Sequence, residues 1–119
     1  MKFSLLLFIL FKKLKKAVKS NTAYRSYIGE IRLKILMKTA DGRRGRLFIF
    51  DRGKLSSRSG AGHAADAALV WSDAATAFRV MASGSDEEMF LAAANGKVKV
   101  EGMAYFIQWF GDGVKLVMQ

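Results

Sequence analysis

The sequence of 119 residues contains no cysteine, no proline and one histidine. The absence of cysteine excludes a disulfide framework, a thiolate metal site and cysteine catalysis. Without proline, helices and strands must end at glycine, asparagine or capping residues, and eleven glycines are available for this role. The only histidine, His63, follows Gly62 in a small-residue loop. A histidine in such a loop is more often a surface residue than a base.

The remaining polar groups supply little chemistry. The serines have no second histidine to activate them as nucleophiles. The consecutive acids Asp86, Glu87 and Glu88 begin a predicted helix, where carboxylates favour the helix dipole rather than a metal. The stretch 60–65 matches the letters of a dinucleotide fingerprint, but an apolar strand pattern follows it where a helix is required. We therefore expect a non-enzymatic protein without a metal or another cofactor.

Charge is distributed unevenly between the two halves. Residues 1–60 contain 16 lysines and arginines against three acids, and residues 61–119 contain 4 against seven. The net charges are therefore +13 and −3, which agree with the total of +10. This asymmetry predicts one side that faces an anionic partner and one that is neutral or slightly acidic. With 51% hydrophobic residues, the chain is long enough for one globular domain.

The first 22 residues are predicted to form a basic amphipathic helix, followed by a domain over 23–119. Lysines follow the apolar run where a signal-peptide cleavage site would be needed, and nine apolar residues cannot span a bilayer. The helix docks on the domain, lies on an anionic membrane, or does both if it docks loosely and its extra leucine and phenylalanine side chains reach lipid. These alternatives imply a cytoplasmic or peripheral membrane protein. Its predicted anion-facing residues are Lys12, Lys13, Lys15 and Lys16.

The rest of the chain alternates between strand and helix patterns. Period-two hydrophobicity predicts strands over 27–38, 46–51, 54–59, 66–71 and 97–101, with Val98 and Val100 inward in the last. Helices are predicted from Ser72 or Asp73 to Gly84, from Ser85 to Asn95, and over 103–110 before an interruption at 111–113. Strands followed by helices predict an α+β fold, with a mainly antiparallel sheet covered on one face.

The segment 105–110 has too many large apolar side chains for one face of a surface helix. Either this helix is buried on all sides, or one side borders something apolar that is not the protein's own core. Plain core packing and a ligand site both remain open at this point.

The second half resembles the sterol carrier protein 2 domain family. An aspartate leads the fourth strand in 65–70, and Ser72-Asp73 opens the next helix. That helix ends at Met81-Ala82-Ser83-Gly84, and a short helix leads to Gly96-Lys97-Val98-Lys99-Val100-Glu101-Gly102. An apolar last helix follows directly. The resemblance covers about residues 27–110 and lies in the order and spacing of these features.

The resemblance implies a five-stranded sheet with helices over one face of an apolar tunnel. It implies binding of sterols, acyl chains or isoprenoids without chemistry. The bacterial type, some of whose members assist ubiquinone biosynthesis, favours a long isoprenoid or acyl chain. Carried over residue by residue, the implied lipid-binding residues are Leu69, Trp71, Phe78, Met81, Phe90, Phe106, Ile107, Trp109 and Phe110.

Two alternatives remain open. The chain could be a basic adaptor that binds RNA or an acidic protein through residues 1–60. Arg43, Arg44 and Arg46, on a predicted hairpin tip, are also predicted to face a membrane or another anion, and the phosphates of lipid headgroups would satisfy their charges as well as those of a nucleic acid. Few aromatic side chains accompany these arginines for base stacking, which disfavours nucleic acid as a partner. The chain could also form a homodimer through exposed apolar helix faces.

Overall fold

Ten helices and strands follow one another along residues 2–118, the part of the chain that the computed structural model describes. Met1, the first residue of the predicted helix 1–22, and Gln119, the last residue of the predicted domain 23–119, lie outside the described residues. The helices are α1 (Lys2–Ser20), α2 (Thr22–Ile28), α3 (Ala74–Ser83), α4 (Asp86–Ala94) and α5 (Ala104–Met118). The strands are β1 (Arg32–Thr39), β2 (Gly45–Asp51), β3 (Lys54–Ser59), β4 (Ala67–Trp71) and β5 (Val98–Gly102).

The five strands form one sheet in the order β3-β2-β1-β4-β5. Neighbouring strands are antiparallel except β1 and β4, which are parallel. The predicted α+β fold with a mainly antiparallel five-stranded sheet and an N-terminal helix is therefore confirmed, and the sheet is mixed in detail. The parallel pair requires the chain to cross from β3 to the other side of β1 through residues 60–66. Gly45 permits this close passage, because a Cβ there would lie 3.0 Å from the Cα of Ala61.

The sheet separates two apolar clusters. The main core lies between the sheet and the helices and includes Phe48, Phe50 and Trp71. A smaller cluster of Leu36, Leu47, Ala68 and Val70 lies on the opposite face. Side chains alternate between the faces of a strand, so neighbouring residues such as Ile35 and Leu36 enter different clusters.

Helix α1 packs one face against the domain. Its buried residues are Phe3, Leu7, Leu10, Leu14 and Ala17, spaced as one helical face requires. Leu5, Phe8 and Ile9, which break the amphipathic pattern in the sequence, remain 59%, 43% and 42% exposed.

The prediction that a strand begins at Tyr27 is wrong, because 22–28 form the short helix α2. The side chain of Asn21 accepts a hydrogen bond from the Tyr24 backbone N–H at 3.0 Å and so caps this helix. Tyr24 and Ile28, four residues apart, are both buried. Asn21 therefore ends one helix and begins another.

The predicted interruption of the last helix at 111–113 is also wrong, since α5 is continuous to Met118. The packing of α5 favours glycine at 113, because a Cβ there would lie 3.0 Å from the ring of Tyr27. The side chains of Val98 and Val100, two residues apart, lie on the same face of β5, as predicted. Val98 is buried there, whereas Val100, further along the edge strand, is 42% exposed.

The predicted helix caps between β4 and β5 are confirmed. The Asp73 carboxylate accepts the Thr76 backbone N–H at 2.7 Å, and the Ser85 hydroxyl accepts that of Glu88 at 3.2 Å. Gly84 ends α3 in the left-handed conformation, with φ of 63°. These caps fix the turn between α3 and α4, which borders the site described next.

Candidate functional site

An apolar cavity of about 410 Å³ lies on the helix side of the sheet. Strands β1, β4 and β5 provide its floor, and side chains from α1, α3, α4 and α5 surround it. The apolar side chains along it are Leu10, Met37, Leu69, Val80, Met81, Met89, Val98, Val100, Ile107, Phe110 and Val114. A volume of this size lies within the range of small-molecule sites, which is about 300–1,000 Å³.

The cavity exists because several wall positions carry almost no side chain. Gly84, Ala93, Ala104 and Gly111 all border it. A Cβ added at Gly111 would meet no atom within 4 Å, so α5 approaches the cavity here without filling it. Protein interiors are normally close-packed, and this space is therefore available to a molecule other than the chain itself.

Polar groups gather at one part of the wall, between α4 and α5. The Lys115 ammonium lies 2.7 Å from the Asp86 carboxylate and so links the two helices. The hydrogen bond to Asp86 and the nearby carboxylates raise the pKa of Lys115. Gln108 donates a hydrogen bond to Asp112 at 2.9 Å on the same helix. The ion pair is half or more exposed on both sides, so it contributes little stability and can open readily.

Four of the predicted lipid-binding residues border the cavity together: Leu69, Met81, Ile107 and Phe110. They come from β4, α3 and α5, so only the tertiary fold brings them to one place.

The other five lie elsewhere in the domain. Trp71 is fully buried in the core, and its indole N–H has no hydrogen-bond partner among the described residues. Phe78 lies 5.8 Å below the Lys2 ammonium, and Phe90 is 70% exposed. Phe106 packs against the neighbouring Tyr105 ring at 6.3 Å. Lipid contact by any of these residues stays a prediction.

Trp109 helps to attach α5 to α2 and the sheet. Its ring stacks on that of Tyr27, with 5.5 Å between the ring centroids, and lies nearly perpendicular to the ring of Phe50, with 5.0 Å between the centroids. The Tyr27 hydroxyl donates a hydrogen bond to the Trp109 carbonyl at 2.7 Å. Part of the aromatic surplus in α5 is therefore used to pack the helix.

The sequence reasoning missed cavity residues on distant elements, among them Leu10, Met37 and Val114. Leu10 belongs to the apolar face of α1, but no local signal distinguishes a face that packs on a core from one that borders a cavity. Val114 was overlooked because the helix was expected to end before it.

The predicted anion-facing lysines occupy two kinds of position. Lys12, Lys13 and Lys16 are exposed on α1. Lys15 is also solvent-exposed, but its ammonium donates a hydrogen bond to the Leu55 carbonyl of β3 at 3.1 Å. Three of the four lysines are thus on the outer surface of the helix, while the fourth helps attach the helix to the sheet.

The predicted anion-facing arginines also differ in their exposure and contacts. Arg43 is exposed at the β1–β2 turn and Arg44 is half-buried there. Hydrogen bonds from the Thr39 hydroxyl and the Arg43 backbone N–H lower the pKa of Asp41 in this turn. Arg46 packs its guanidinium 5.3 Å from the Phe8 ring and donates to the Ser57 hydroxyl at 2.7 Å.

Residues 2–118 hold no cluster of three or more histidine, cysteine or acidic side chains that could bind a metal. None of the helices in this part of the chain combines the length and the apolar character needed to cross a bilayer.

The sequence matches no protein-family model and no curated protein. Solved structures, however, show the same fold. A protein described as a UbiJ-SCP2 ubiquinone synthesis protein matches with a TM-score of 0.64 at 13% identity, over 92% of this chain and 85% of that one. A sterol carrier protein 2 matches at 0.60 and 13%, over 93% and 95%.

An enzyme is also among the similar structures. A sec-alkyl sulfatase variant matches with a TM-score of 0.57 at 18% identity, over 77% of this chain but only 14% of its own. The similarity therefore concerns a small part of that enzyme.

Proposed function

This chain has a sterol-carrier-like fold, and from that premise we propose that it binds and transfers a hydrophobic lipid without chemistry. The observation that carries the proposal is the apolar cavity between the sheet and four helices, which the protein's own side chains do not fill. Burial of alkyl groups in such a space is favourable by about 0.8 kcal/mol per methylene.

The cavity volume sets the size of the ligand. If each ligand carbon takes roughly the 30 Å³ of one liquid water molecule, the 410 Å³ cavity accommodates on the order of a dozen carbons. An acyl chain or two to three isoprene units would fit within it, and a longer chain would extend through an opening. A polyprenylated aromatic compound is a candidate because one structurally similar protein is described as a ubiquinone synthesis protein.

The polar wall would position the ligand headgroup. Lys115 lies beside Asp86, and the acidic Asp112 also raises its pKa. Since the carboxylates near Lys115 already compensate its charge, an anionic headgroup would have to displace Asp86. A neutral hydroxyl or carbonyl group could instead bind beside the intact ion pair, so this wall favours a neutral headgroup.

The outer face of α1 would bring the protein to an anionic membrane. Leu5, Phe8 and Ile9 are exposed there, in the same helix as the exposed Lys12 and Lys16. Exposed apolar side chains can enter the headgroup region while lysines attract acidic lipids. Since Leu10 of the same helix borders the cavity, a change at the membrane could reach the ligand through α1.

Native mass spectrometry of the purified protein tests lipid binding directly. We expect one bound lipid per chain, or uptake of one acyl or polyprenyl probe by ligand-free protein. A protein that is uniformly free of lipid and takes up neither probe would exclude the proposal. Transfer is tested by movement of a fluorescent acyl probe from donor to acceptor vesicles.

The membrane contact needs a separate experiment. Co-sedimentation with vesicles of phosphatidylglycerol should exceed that with phosphatidylcholine and should fall in high salt. A Phe8→Ser/Ile9→Ser variant should lose this binding. Phe90→Ser, which removes an exposed phenylalanine from α4, is the matched control and should retain it. Equal loss in both variants would contradict a specific role of α1.

A further inference from the structure

Strand β5 is one edge of the sheet, and its outer side pairs with no other strand of residues 2–118. Four of its five residues are exposed, with Val98 alone buried. Exposed strand edges are templates for pairing with another chain unless the protein protects them. The outer edge of β5 is therefore available for pairing with another strand.

The other edge strand, β3, is protected. It carries the like charges Lys54 and Arg58 and no acid, and the Lys15 ammonium binds its Leu55 carbonyl. Two β3 edges would bring basic side chains together, which is unfavourable. Strand β5 instead carries one charge of each sign, Lys99 and Glu101, on either side of Val100. The Glu101 carboxylate lies 3.4 Å from the Lys38 ammonium of β1, but it remains exposed, so this ion pair is weak and leaves the carboxylate accessible to a second copy.

The alternation of hydrogen-bonded and non-hydrogen-bonded pairs between β4 and β5 shows which backbone groups of β5 are free to bind another strand. The Ser72 amide donates to the Lys97 carbonyl at 2.8 Å, so these two opposed residues form a hydrogen-bonded pair. Pairs alternate along an antiparallel ladder. The amides and carbonyls of Lys99 and Glu101 consequently point toward β4, whereas those of Val98, Val100 and Gly102 point to the free edge.

We propose that two copies of this chain pair antiparallel through β5, with the twofold axis at Val100, to form a ten-stranded sheet. In this arrangement the two Val100 residues exchange backbone hydrogen bonds. Lys99 of each copy then faces Glu101 of the other at the non-hydrogen-bonded positions, where opposed side chains are closest. The edge is self-complementary in both backbone phase and charge, as a twofold interface must be.

The proposal is independent of lipid binding, although the two surfaces adjoin. Lys99 and Val100 also border the cavity. Dimerisation would therefore cover one side of the cavity wall. A protein that dimerises but binds no lipid would support the β5 interface and contradict lipid binding. A monomeric protein that binds lipid would support lipid binding and contradict the interface.

Charge reversal provides the decisive test, with self-association measured by sedimentation equilibrium up to about 1 mM. Lys99→Glu and Glu101→Lys each place two like-charged pairs at the interface, and each should weaken self-association by about tenfold or more. An equimolar mixture of the two variants restores opposite charges at both pairs. We expect it to form a heterodimer with an affinity close to that of the unmodified protein.

Proline substitutions test which backbone amides of β5 point to the free edge and which point to β4. Val100→Pro removes an amide that points to the free edge, so the fold should survive while self-association is lost. Lys99→Pro removes an amide directed at β4 and should lower the melting temperature of the monomer. Equal destabilisation by both prolines, a monomeric unmodified protein at 1 mM, or no recovery in the charge-swapped mixture would each overturn the proposal.

Discussion

Substitution of Gly111 separates lipid binding from stability. Gly111 lies within α5, borders the cavity and has open space where its Cβ would be. It is not among the residues with positive φ, so the backbone accepts an ordinary side chain. A glycine within a helix costs up to about 1 kcal/mol relative to alanine. Gly111→Ala and Gly111→Leu should therefore both raise the free energy of unfolding of the ligand-free protein.

The two variants should differ in binding. Leucine adds four carbons, which at roughly 30 Å³ each occupy about 120 Å³ of the 410 Å³ cavity. A ligand that loses the burial of about four methylenes binds some 3 kcal/mol more weakly, which is on the order of a hundredfold. Alanine adds one carbon and should change the affinity less than tenfold.

Urea denaturation measures the stability of each variant, and displacement of a fluorescent fatty acid measures its affinity. A Gly111→Leu protein that is more stable and yet binds with unchanged affinity would show that the ligand lies outside the cavity. Equal loss of binding in both variants would show that affinity depends on something other than free volume.

Three further predictions address the caps, the α5 packing and the polar wall. Asp73→Ala should lower the free energy of unfolding by about 1 kcal/mol at pH 7. Hydrogen bonds from Thr76, its backbone N–H first, lower the pKa of Asp73 in the folded protein. The stabilisation by Asp73 is therefore present above the unfolded pKa of about 3.9 and is lost as the pH falls through the lower folded pKa. Urea denaturation at pH 7 and pH 3 should show the difference shrinking, and a constant difference would contradict this origin. Tyr27→Phe removes the hydrogen bond to the Trp109 carbonyl and should cost about 1 kcal/mol by the same assay, whereas no loss would show that the stacked ring alone attaches α5. Asp86→Asn should increase the affinity for a long-chain fatty acid relative to the matching alcohol in probe displacement, since Lys115 is released from its ion pair; an unchanged acid-to-alcohol ratio would place the headgroup elsewhere.

Much of the fold could be predicted because its signals are local. The caps Asp73 and Ser85 and the left-handed Gly84 each depend on residues within four positions, and the structure confirms all three. Helix α2 was missed because Asn21 resembled a simple helix end, although its side chain also begins the next helix. The continuity of α5 through Gly111 and Gly113 depends on packing that no local signal reveals.

The sequence by itself determined the order of the elements other than α2, the strand and helix periods, and the surplus of apolar side chains near the C-terminus. These follow from the alternation of side chains along a strand and the 3.6-residue repeat of a helix. Only the tertiary structure decided which apolar residues fill the core and which border the cavity. Leu69 and Phe110 both border the cavity, whereas Trp109, the residue before Phe110, packs on Tyr27. The two neighbours differ because a step of one residue turns a helix by about 100°.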